Sequence, residues 1–210
     1  MNVKYLPSFS ESFIINLADD YAYKDLRKLS KKYGVPSLEE AACLAVKNIS
    51  SIKQPKKSLD IGCGIGVSTL AILEGCSNTI HTAIDGNLER ILIFNEYFKN
   101  YSNVTSYQIR GEQWLATCEE KYDLVFVDSV KREYSNIWHR LKKCLNSNAT
   151  VIFDDILLYG YVTCVEAEVP AKYRENRLYM INFLKEIFYD KSLNSQIIPV
   201  SGGLLVISLK

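Results

Sequence analysis

Acidic side chains follow two apolar segments in the second half of the chain. Asp128 comes directly after the segment LVFV, and Lys131 lies three residues further on. Asp154 and Asp155 come directly after the segment VIF. If both segments are strands of an open α/β sheet, their carboxyl ends lie at the edge where such sheets bind ligands. Three carboxylates would repel one another there without a cation, and oxygen ligands alone suit Mg²⁺, Mn²⁺ or Ca²⁺. We therefore predict a divalent-metal site at Asp128, Asp154 and Asp155, although each acid alone also fits a solvated turn.

A glycine-rich segment between a predicted strand and a predicted helix indicates a small-ligand site. Gly62, Gly64 and Gly66 follow the spacing GxGxG, with Asp60 before them and Ser68 after them. Glycines allow a tight turn and bring backbone N–H groups close to a ligand at the helix N-terminus. The carboxylate of Asp60 would repel a pyrophosphate, but it would pair with the ammonium of an amino-acid group. This favours a cofactor with an amino-acid end.

A second acid, Asp85, ends the next predicted strand, where a carboxylate can accept hydrogen bonds from both ribose hydroxyls. Together with the glycine loop, it predicts S-adenosylmethionine as the cofactor. NAD is a minor alternative, and a purely structural strand-to-helix turn is another. Gly111, Glu112 and Gln113 follow the third predicted strand at the same end of the sheet, where they could border an adenine or simply begin a helix. Asp128 completes the predicted set of cofactor contacts.

The elements that must position these residues alternate along the chain, which is typical of a parallel α/β sheet. The predicted strands are Ser58–Gly62, Thr79–Ile84, Val104–Ile109, Tyr122–Val127, Ala149–Phe153, Gln196–Pro199 and Leu204–Ser208. The predicted helices between them are Val67–Glu74, Leu88–Asn100, Gln113–Cys118, Tyr134–Leu145 and Arg174–Tyr189. The last two strands lie too close in sequence for a parallel crossover. The pattern predicts a Rossmann-like α/β fold with a seven-stranded, mostly parallel sheet, an antiparallel C-terminal hairpin and helices on both faces.

Residues 1–57 are predicted to form an N-terminal helical appendage to the domain of residues 58–210. Two helices are expected in it, Ser10–Lys32 and Ser37–Ile52, and the segment SLEE fits a capping box with Ser37 as N-cap and Glu40 at N3. The appendage is placed to cover the ligand end of the sheet or to build a dimer interface.

The composition excludes several function classes. The net charge is +1, so no bulk electrostatic attraction to DNA, RNA or membranes is expected. No apolar stretch is long enough to span a bilayer, and no secretory signal is visible. The six cysteines are scattered without a CxxC pair, which favours free thiols and a cytoplasmic location. A local basic patch at Lys172, Arg174 and Arg177 could hold RNA, or it could be a solvated helix face.

The motifs at the two acidic strand ends resemble those of a known family. The segment DSVK at 128–131 is similar to the D-x-x-K motif of metal-dependent class I O-methyltransferases, which include catechol and caffeoyl-CoA O-methyltransferases. The segment FDDIL at 153–157 is similar to their A-D-N-V-L, with Asp155 in place of the usual asparagine. The resemblance implies that Asp128, Asp154 and Asp155 bind the metal and that Lys131 is the general base.

Two further segments resemble the bacterial tRNA 5-hydroxyuridine methyltransferases within that family. Residues 155–162 are similar to N-V-L-F-K-G-x-V, and residues 197–204 are similar to I-I-P-V-G-D-G-L, with SGG replacing GDG. This implies a tRNA acceptor, with Tyr159, Tyr161 and Tyr173 available to stack a splayed base. A small catechol-like or hydroxycinnamoyl acceptor is the alternative, and a non-catalytic interaction subunit is an alternative of another class. We expect a homodimer, with no DNA or membrane partner.

Overall fold

The computed structural model describes Phe13 and residues 23–209. The strands in this part of the chain are β1 Lys57–Ile61, β2 Ile80–Asp85, β3 Val104–Gln108, β4 Tyr122–Val127, β5 Leu145–Phe153, β6 Leu193–Ile198 and β7 Leu204–Leu209. They form one sheet in the order β3-β2-β1-β4-β5-β7-β6. The first five strands of this order are parallel, and β7 runs antiparallel to both β5 and β6. The predicted fold, including the C-terminal antiparallel hairpin, is confirmed.

Helices cover both faces of the sheet. They are α1 Lys24–Tyr33, α2 Glu40–Lys53, α3 Val67–Gly75, α4 Leu88–Phe98, α5 Gly111–Thr117, α6 Tyr134–Leu141 and α7 Ala171–Tyr189. Along β4, Val125 and Val127 face one apolar cluster with α5, α6 and α7, whereas Leu124 and Phe126 face the other with α1 to α4. This explains the uninterrupted apolar segment in β4, because a strand covered on both faces has no solvent side. No helix among the described residues is long and apolar enough to cross a membrane.

The predicted capping box at Ser37 is wrong. Helix α2 begins at Glu40 instead, and its N-cap, Glu39, makes no side-chain capping hydrogen bond. Residues 35–39 are not helical, and Pro36, Ser37 and Leu38 line a small cavity with the glycine loop. Packing over this loop overrides the local helix-start signal. In the predicted helix before it, residues 24–33 are helical as expected, and the residues before 23 lie outside the described part apart from Phe13.

The boundary between α6 and β5 also differs from the prediction. The helix ends at Leu141, a short 3₁₀ turn follows at Lys142–Cys144, and Leu145 already pairs with Tyr122 as the first residue of β5. The register shifts before Leu124, so the polar residues 146–148 belong to an irregular part of the strand. Their polarity conceals the strand in the sequence. The division of the chain at residue 57 stays a prediction.

Gly66 provides a test of how closely the helical layer fits the glycine loop. Its φ is 102°, and a Cβ there would overlap the ring of Phe98. We expect Gly66→Ala to lower the free energy of unfolding by about 2–4 kcal/mol, because it adds both backbone strain and a clash in the core. Urea denaturation measures the loss.

Gly34→Ala is the matched control. Gly34 also has a positive φ, 62°, but no atom of the described residues lies within 4 Å of the position of a Cβ. Only the backbone strain remains, so we expect the free energy of unfolding to fall by about 1–2 kcal/mol. Equal losses in the two variants would contradict the role of packing at Gly66.

Candidate active site

The glycine loop is held between the ends of three strands. The N–H groups of Gly62 and Cys63 donate to the carbonyl of Ile84 at the end of β2, at 2.8 and 3.1 Å. The N–H of Asp128 donates to Ile61 at the end of β1, at 2.8 Å. A Cβ on Gly62 would overlap the carbonyl oxygen of Asp128. The absence of a side chain at Gly62 is therefore what allows the loop to lie against the first acid of the predicted metal site.

Asp60 lies at the base of this loop and has no exposed surface. Its Oδ2 accepts hydrogen bonds from the hydroxyls of Ser68, at 2.7 Å, and Thr69, at 2.8 Å. Its Oδ1 has no partner among the described residues. Burial raises the pKa of Asp60 to about 7, and the two hydroxyls only partly oppose this shift. One carboxylate oxygen is thus left for a ligand, and a cationic group would suit it.

Asp85 ties the loop to β2. Its Oδ2 accepts from the N–H of Gly64 at 3.0 Å, and its Oδ1 accepts from the N–H of Asn87 at 2.8 Å. The guanidinium of Arg90 lies 3.6 Å from the same Oδ2. The sequence reasoning expected this carboxylate at the end of the second strand, where it is found, but did not anticipate its partners. Each oxygen retains a lone pair for a further donor.

The segment after β3 lies at the same end of the sheet. Gly111 begins α5, and a Cβ on it would lie 2.6 Å from the side chain of Ile61. Glu112 is partly exposed and Gln113 is exposed. The side-chain oxygen of Gln113 accepts from the N–H of Arg110 at 3.4 Å, so it is also used in the start of the helix. These residues are at the expected place beside β1.

Three carboxylates meet at the ends of β4 and β5. One oxygen from each of Asp128, Asp154 and Asp155 lies within 4.8 Å of the others. Burial raises the pKa of Asp154 well above its usual value, and the charges of Asp155 and Asp128 add to the shift. Burial likewise raises the pKa of Asp155. The cluster concentrates negative charge that a divalent cation would neutralise, so the donor set fits a hard metal ion.

Lys131 lies against this cluster. Its Nζ is 2.8 Å from Asp128 Oδ1 and 3.7 Å from Asp155 Oδ2. Burial alone would lower the pKa of this amine, but Tyr134 and the three carboxylates outweigh it and raise the pKa well above its usual value. A cation bound at the carboxylates would act in the opposite direction, because a nearby positive charge lowers the pKa of an amine.

Tyr134 is a site residue that the sequence reasoning missed. Lys131 Nζ donates to its hydroxyl at 2.8 Å, and the hydroxyl donates to the carbonyl of Asp154 at 2.9 Å. The ring is buried between Phe153 and Phe183. Tyr134 therefore links the lysine to the second acidic segment. The feature of the sequence that could have identified Tyr134 is its position three residues after Lys131.

Gly202 is the second missed residue. A Cβ on it would overlap the carboxylate of Asp155, which itself has a positive φ of 55°. The N–H groups of Ile156 and Leu157 donate to the carbonyls of Gly203 and Gly202 at 3.1 and 3.0 Å. The loop between β6 and β7 thus holds Asp155 in place. The SGG segment that departs from the family pattern contributes this contact.

The two arginines of the candidate basic patch donate hydrogen bonds within the chain, although Lys172 and Arg174 remain exposed. Arg177 donates to the carbonyls of Tyr161 and Cys164 at 3.0 and 2.8 Å, and Arg174 donates through Nε to a carbonyl at 3.0 Å. The rings of Tyr161 and Tyr173 stack on each other at 4.9 Å. These contacts brace the segment that follows the metal-site acids.

Tyr159 lies in the segment that follows Asp155. Its side chain is 47% exposed, and its backbone has a positive φ of 56°. The charge of Asp155 raises the pKa of Tyr159. Of the three aromatic residues expected at the acceptor site, Tyr159 is the most exposed.

Comparison with known proteins identifies the family of this chain. Residues 16–210 match the model of the family described as O-methyltransferase. A protein of Arabidopsis thaliana, whose name assigns it provisionally to the caffeoyl-CoA O-methyltransferases, is 27% identical over 195 residues, covering 86% of this chain and 83% of the relative.

Two solved structures share the fold at low sequence identity. One, assigned provisionally as a caffeoyl-CoA O-methyltransferase from Staphylococcus aureus, has a TM-score of 0.87 at 17% identity and covers 97% of this chain and 100% of its own. The other, an O-methyltransferase from Bacillus cereus in complex with SAH, has a TM-score of 0.81 at 13% identity and covers 96% and 97%.

The fold and the family match define an S-adenosylmethionine-dependent O-methyltransferase. The chain belongs to the O-methyltransferase family. This confirms the predicted enzyme class and supports S-adenosylmethionine as the cofactor. The metal requirement and the tRNA acceptor stay predictions.

Asp60 should give the stability of the protein a distinctive pH dependence. Its pKa rises from a usual value of 3.8 to about 7 on folding, so the unfolded chain loses this proton first as the pH rises. The contribution of Asp60 to the free energy of unfolding should therefore fall between about pH 4 and pH 7. In Asp60→Asn this fall should disappear, a change of up to about 4 kcal/mol across the range, measured by urea denaturation.

Asp123→Asn is the control, because the contribution of Asp123 to stability changes with pH in the opposite direction. Backbone N–H groups of Lys57 and Lys56 and the amide of Asn146 lower the pKa of Asp123, although burial opposes them. Its contribution to stability is present above about pH 4 and is lost as the pH falls. If the free energy of unfolding changed with pH in the same way in wild type and in Asp60→Asn, the raised pKa of the buried carboxylate at residue 60 would be contradicted.

Proposed function

We propose that the protein methylates a ring hydroxyl that has a second oxygen beside it, in a reaction that requires a divalent cation. The observation that carries this proposal is the convergence of Asp128, Asp154 and Asp155 within 4.8 Å, with Lys131 against them. The cluster adjoins the glycine loop, because Gly62 packs on Asp128. A methyl donor bound at the loop and an acceptor bound at the acids would therefore be neighbours.

The chain would hold S-adenosylmethionine along the ends of β1 and β2. Asp60 offers to the ammonium its Oδ1, which has no partner among the described residues, and the loop glycines would let the amino-acid end approach the backbone closely. Asp85 would accept from the ribose hydroxyls. The predicted cofactor contacts also include Ser68, Gly111, Glu112, Gln113 and Asp128.

The cation would be held by oxygens of Asp128, Asp154 and Asp155. When bound, it supplies positive charge that lowers the pKa of an acceptor hydroxyl and orients it. Mg²⁺ is the proposed ion, with Mn²⁺ or Ca²⁺ as alternatives of the same ligand chemistry. The aspartate at 155 adds one negative charge relative to the usual asparagine, which should tighten cation binding.

Lys131 is proposed as the group that receives the hydroxyl proton. To do so it must first lose its own, and the carboxylates that hold this proton in the metal-free protein are the ones a cation would neutralise. Tyr134 keeps Nζ at a fixed place through a hydrogen bond of 2.8 Å. Most of the rate enhancement would come from such positioning of the reacting groups.

Two acceptor classes fit this arrangement. A 5-hydroxyuridine in tRNA is supported by the resemblance of residues 155–162 and 197–204 to the tRNA methyltransferases. A small catechol-like or hydroxycinnamoyl acceptor is favoured by the internal hydrogen bonds of Arg174 and Arg177, which leave fewer donors for phosphate. The open ring of Tyr159 suits a planar acceptor of either class. The homodimer and the cytoplasmic location stay predictions from the sequence.

The metal requirement predicts the behaviour of Asp154→Ala. Because Asp154 is the most buried of the three acids, its removal should weaken Mn²⁺ binding by at least about tenfold and should abolish most methyl transfer. Titration calorimetry measures the ion, and labelled cofactor measures the transfer. Asp123→Asn, which lies outside the cluster, should match wild type in both. Undiminished activity after thorough chelation would contradict the requirement.

The acceptor is tested by methyl transfer to total tRNA and to a panel of catechols, each with and without EDTA. If tRNA is the acceptor, Arg174→Ala combined with Arg177→Ala should flatten the slope of log affinity against log salt by about 0.7 per lost phosphate contact. Transfer to a catechol should hardly respond to the same salt change. Nucleoside mass spectrometry of a deletion strain is the cellular comparison, and an unchanged ratio of 5-methoxyuridine-type to 5-hydroxyuridine nucleosides would promote the small acceptor.

A further inference from the structure

A continuous chain of hydrogen bonds runs through the core behind the glycine loop. Asp60 Oδ2 accepts from the hydroxyl of Thr69 at 2.8 Å, and that hydroxyl lies 3.1 Å from His81 Nε2. On the other side of the ring, His81 Nδ1 lies 2.8 Å from the hydroxyl of Ser58, which lies 2.9 Å from that of Thr79. None of the five residues has exposed surface.

The alternation of β1 builds this chain. Leu59 faces the apolar cluster on the α5 to α7 side, so Ser58 and Asp60 face the opposite side, towards α3. Ser58 pairs with His81 on β2, and α3 brings Thr69 between the imidazole and the carboxylate. The polar groups are surrounded by the apolar residues that pack α3 on the sheet. Burying them costs free energy unless every donor and acceptor is used.

The donors of this chain point in one direction. Opposite the cofactor ammonium Asp60 would be ionised, and an ionised carboxylate only accepts, so Thr69 donates its single hydroxyl proton to Asp60. The oxygen of Thr69 must then accept from His81, which places the imidazole proton on Nε2 and leaves Nδ1 to accept from Ser58. Burial lowers the pKa of His81 to about 3, so the ring is neutral and has one N–H. His81 therefore accepts a hydrogen bond from Ser58 on one side of its ring and donates one to Thr69 on the other.

We propose that His81 is a positioning residue for the cofactor, acting through Thr69 to fix the Asp60 carboxylate with Oδ2 occupied and Oδ1 turned to the cofactor ammonium. Ser68 supplies the second hydrogen bond to Oδ2, at 2.7 Å, so this oxygen is fully used. Oδ1 is the carboxylate oxygen left without a partner. The inference rests on the proposed cofactor role of Asp60 and adds the side chains that set its orientation.

The test compares two ligands that differ only at the amino-acid end. S-adenosylhomocysteine has the ammonium that Asp60 would bind, and 5′-methylthioadenosine lacks it. In Thr69→Val, which removes the hydroxyl at nearly constant shape, the Kd for S-adenosylhomocysteine should rise on the order of tenfold, the size of one lost hydrogen bond to a charged group. The Kd for 5′-methylthioadenosine should not change. Thr69→Ser keeps the hydroxyl and should restore the affinity.

His81→Gln and His81→Phe repeat the two-ligand comparison at the residue that follows Thr69 in the chain of hydrogen bonds from Asp60. The amide N–H of glutamine can replace the Nε2 donor, whereas phenylalanine leaves the Thr69 oxygen without one. The affinity for S-adenosylhomocysteine should therefore be nearer to wild type in the glutamine variant. In steady-state kinetics, the loss should appear in the KM for S-adenosylmethionine, with little change in kcat. Thermal unfolding of each variant of the full chain shows which of them fold.

The outcomes separate the inference from the proposed function. If Asp60→Asn binds S-adenosylhomocysteine as wild type does, the cofactor role of Asp60 is wrong and the inference falls with it. If Asp60→Asn is impaired but Thr69→Val is not, only the positioning chain is refuted. Equal losses for both ligands, or equal losses in Thr69→Val and Thr69→Ser, would show a packing effect and overturn the inference. Should the valine variant not fold, the His81 pair decides by the same two-ligand comparison.

Discussion

Negative charge gathered at one edge of the sheet is the constraint to which the rest of this structure responds. Asp60, Asp85, Asp128, Asp154 and Asp155 all lie in or next to the ends of β1, β2, β4 and β5. Each is compensated differently: Asp85 by backbone N–H groups and Arg90, and Asp60 by two hydroxyls. The other three share one ammonium, that of Lys131. This unequal compensation leaves a surplus of negative charge at Asp128, Asp154 and Asp155, and unmet charge invites a ligand of opposite sign.

The sequence was sufficient for the parts of the site that follow from strand ends. Acids placed directly after apolar segments must meet at the carboxyl edge of a parallel sheet, and the glycine spacing identified the loop beside them. The contact of Gly202 with Asp155 and that of Tyr134 with Asp154 could not be found in this way, because each joins segments that are distant in sequence. The capping box predicted at Ser37 is wrong for a related reason, since packing over the glycine loop overrides the local capping pattern. Patterns fix local elements, whereas contacts between distant segments decide which residues complete a site.

The segment after β5 has an unusual concentration of left-handed backbone. Asp155, Leu158 and Tyr159 all have positive φ angles, between 47° and 56°. Such conformations cost free energy for residues with side chains and persist only where the surroundings impose them. Here the surroundings are the turn of the C-terminal hairpin, which contains Gly202 and Gly203, and the hydrogen bonds that Arg177 donates to backbone carbonyls. Asp155 and Tyr159 therefore lie in a strained segment that other parts of the chain hold, whereas Asp60 and Asp85 belong to regular strands of the sheet.

The position of β7 has a consequence for the order in which the site assembles. β7 lies between β5 and β6 in the sheet, although it follows both of them in sequence. β6 has no neighbour in the sheet until β7 is inserted, and the loop that joins them is the one that fixes Asp155. The contacts of this hairpin are local, with Ile198 opposite Leu204, whereas β1 pairs with β4 through Ser58 opposite Leu124. The hairpin can therefore form on its own, and the carboxylate cluster is complete only when the hairpin docks on β5 and brings Gly202 against Asp155.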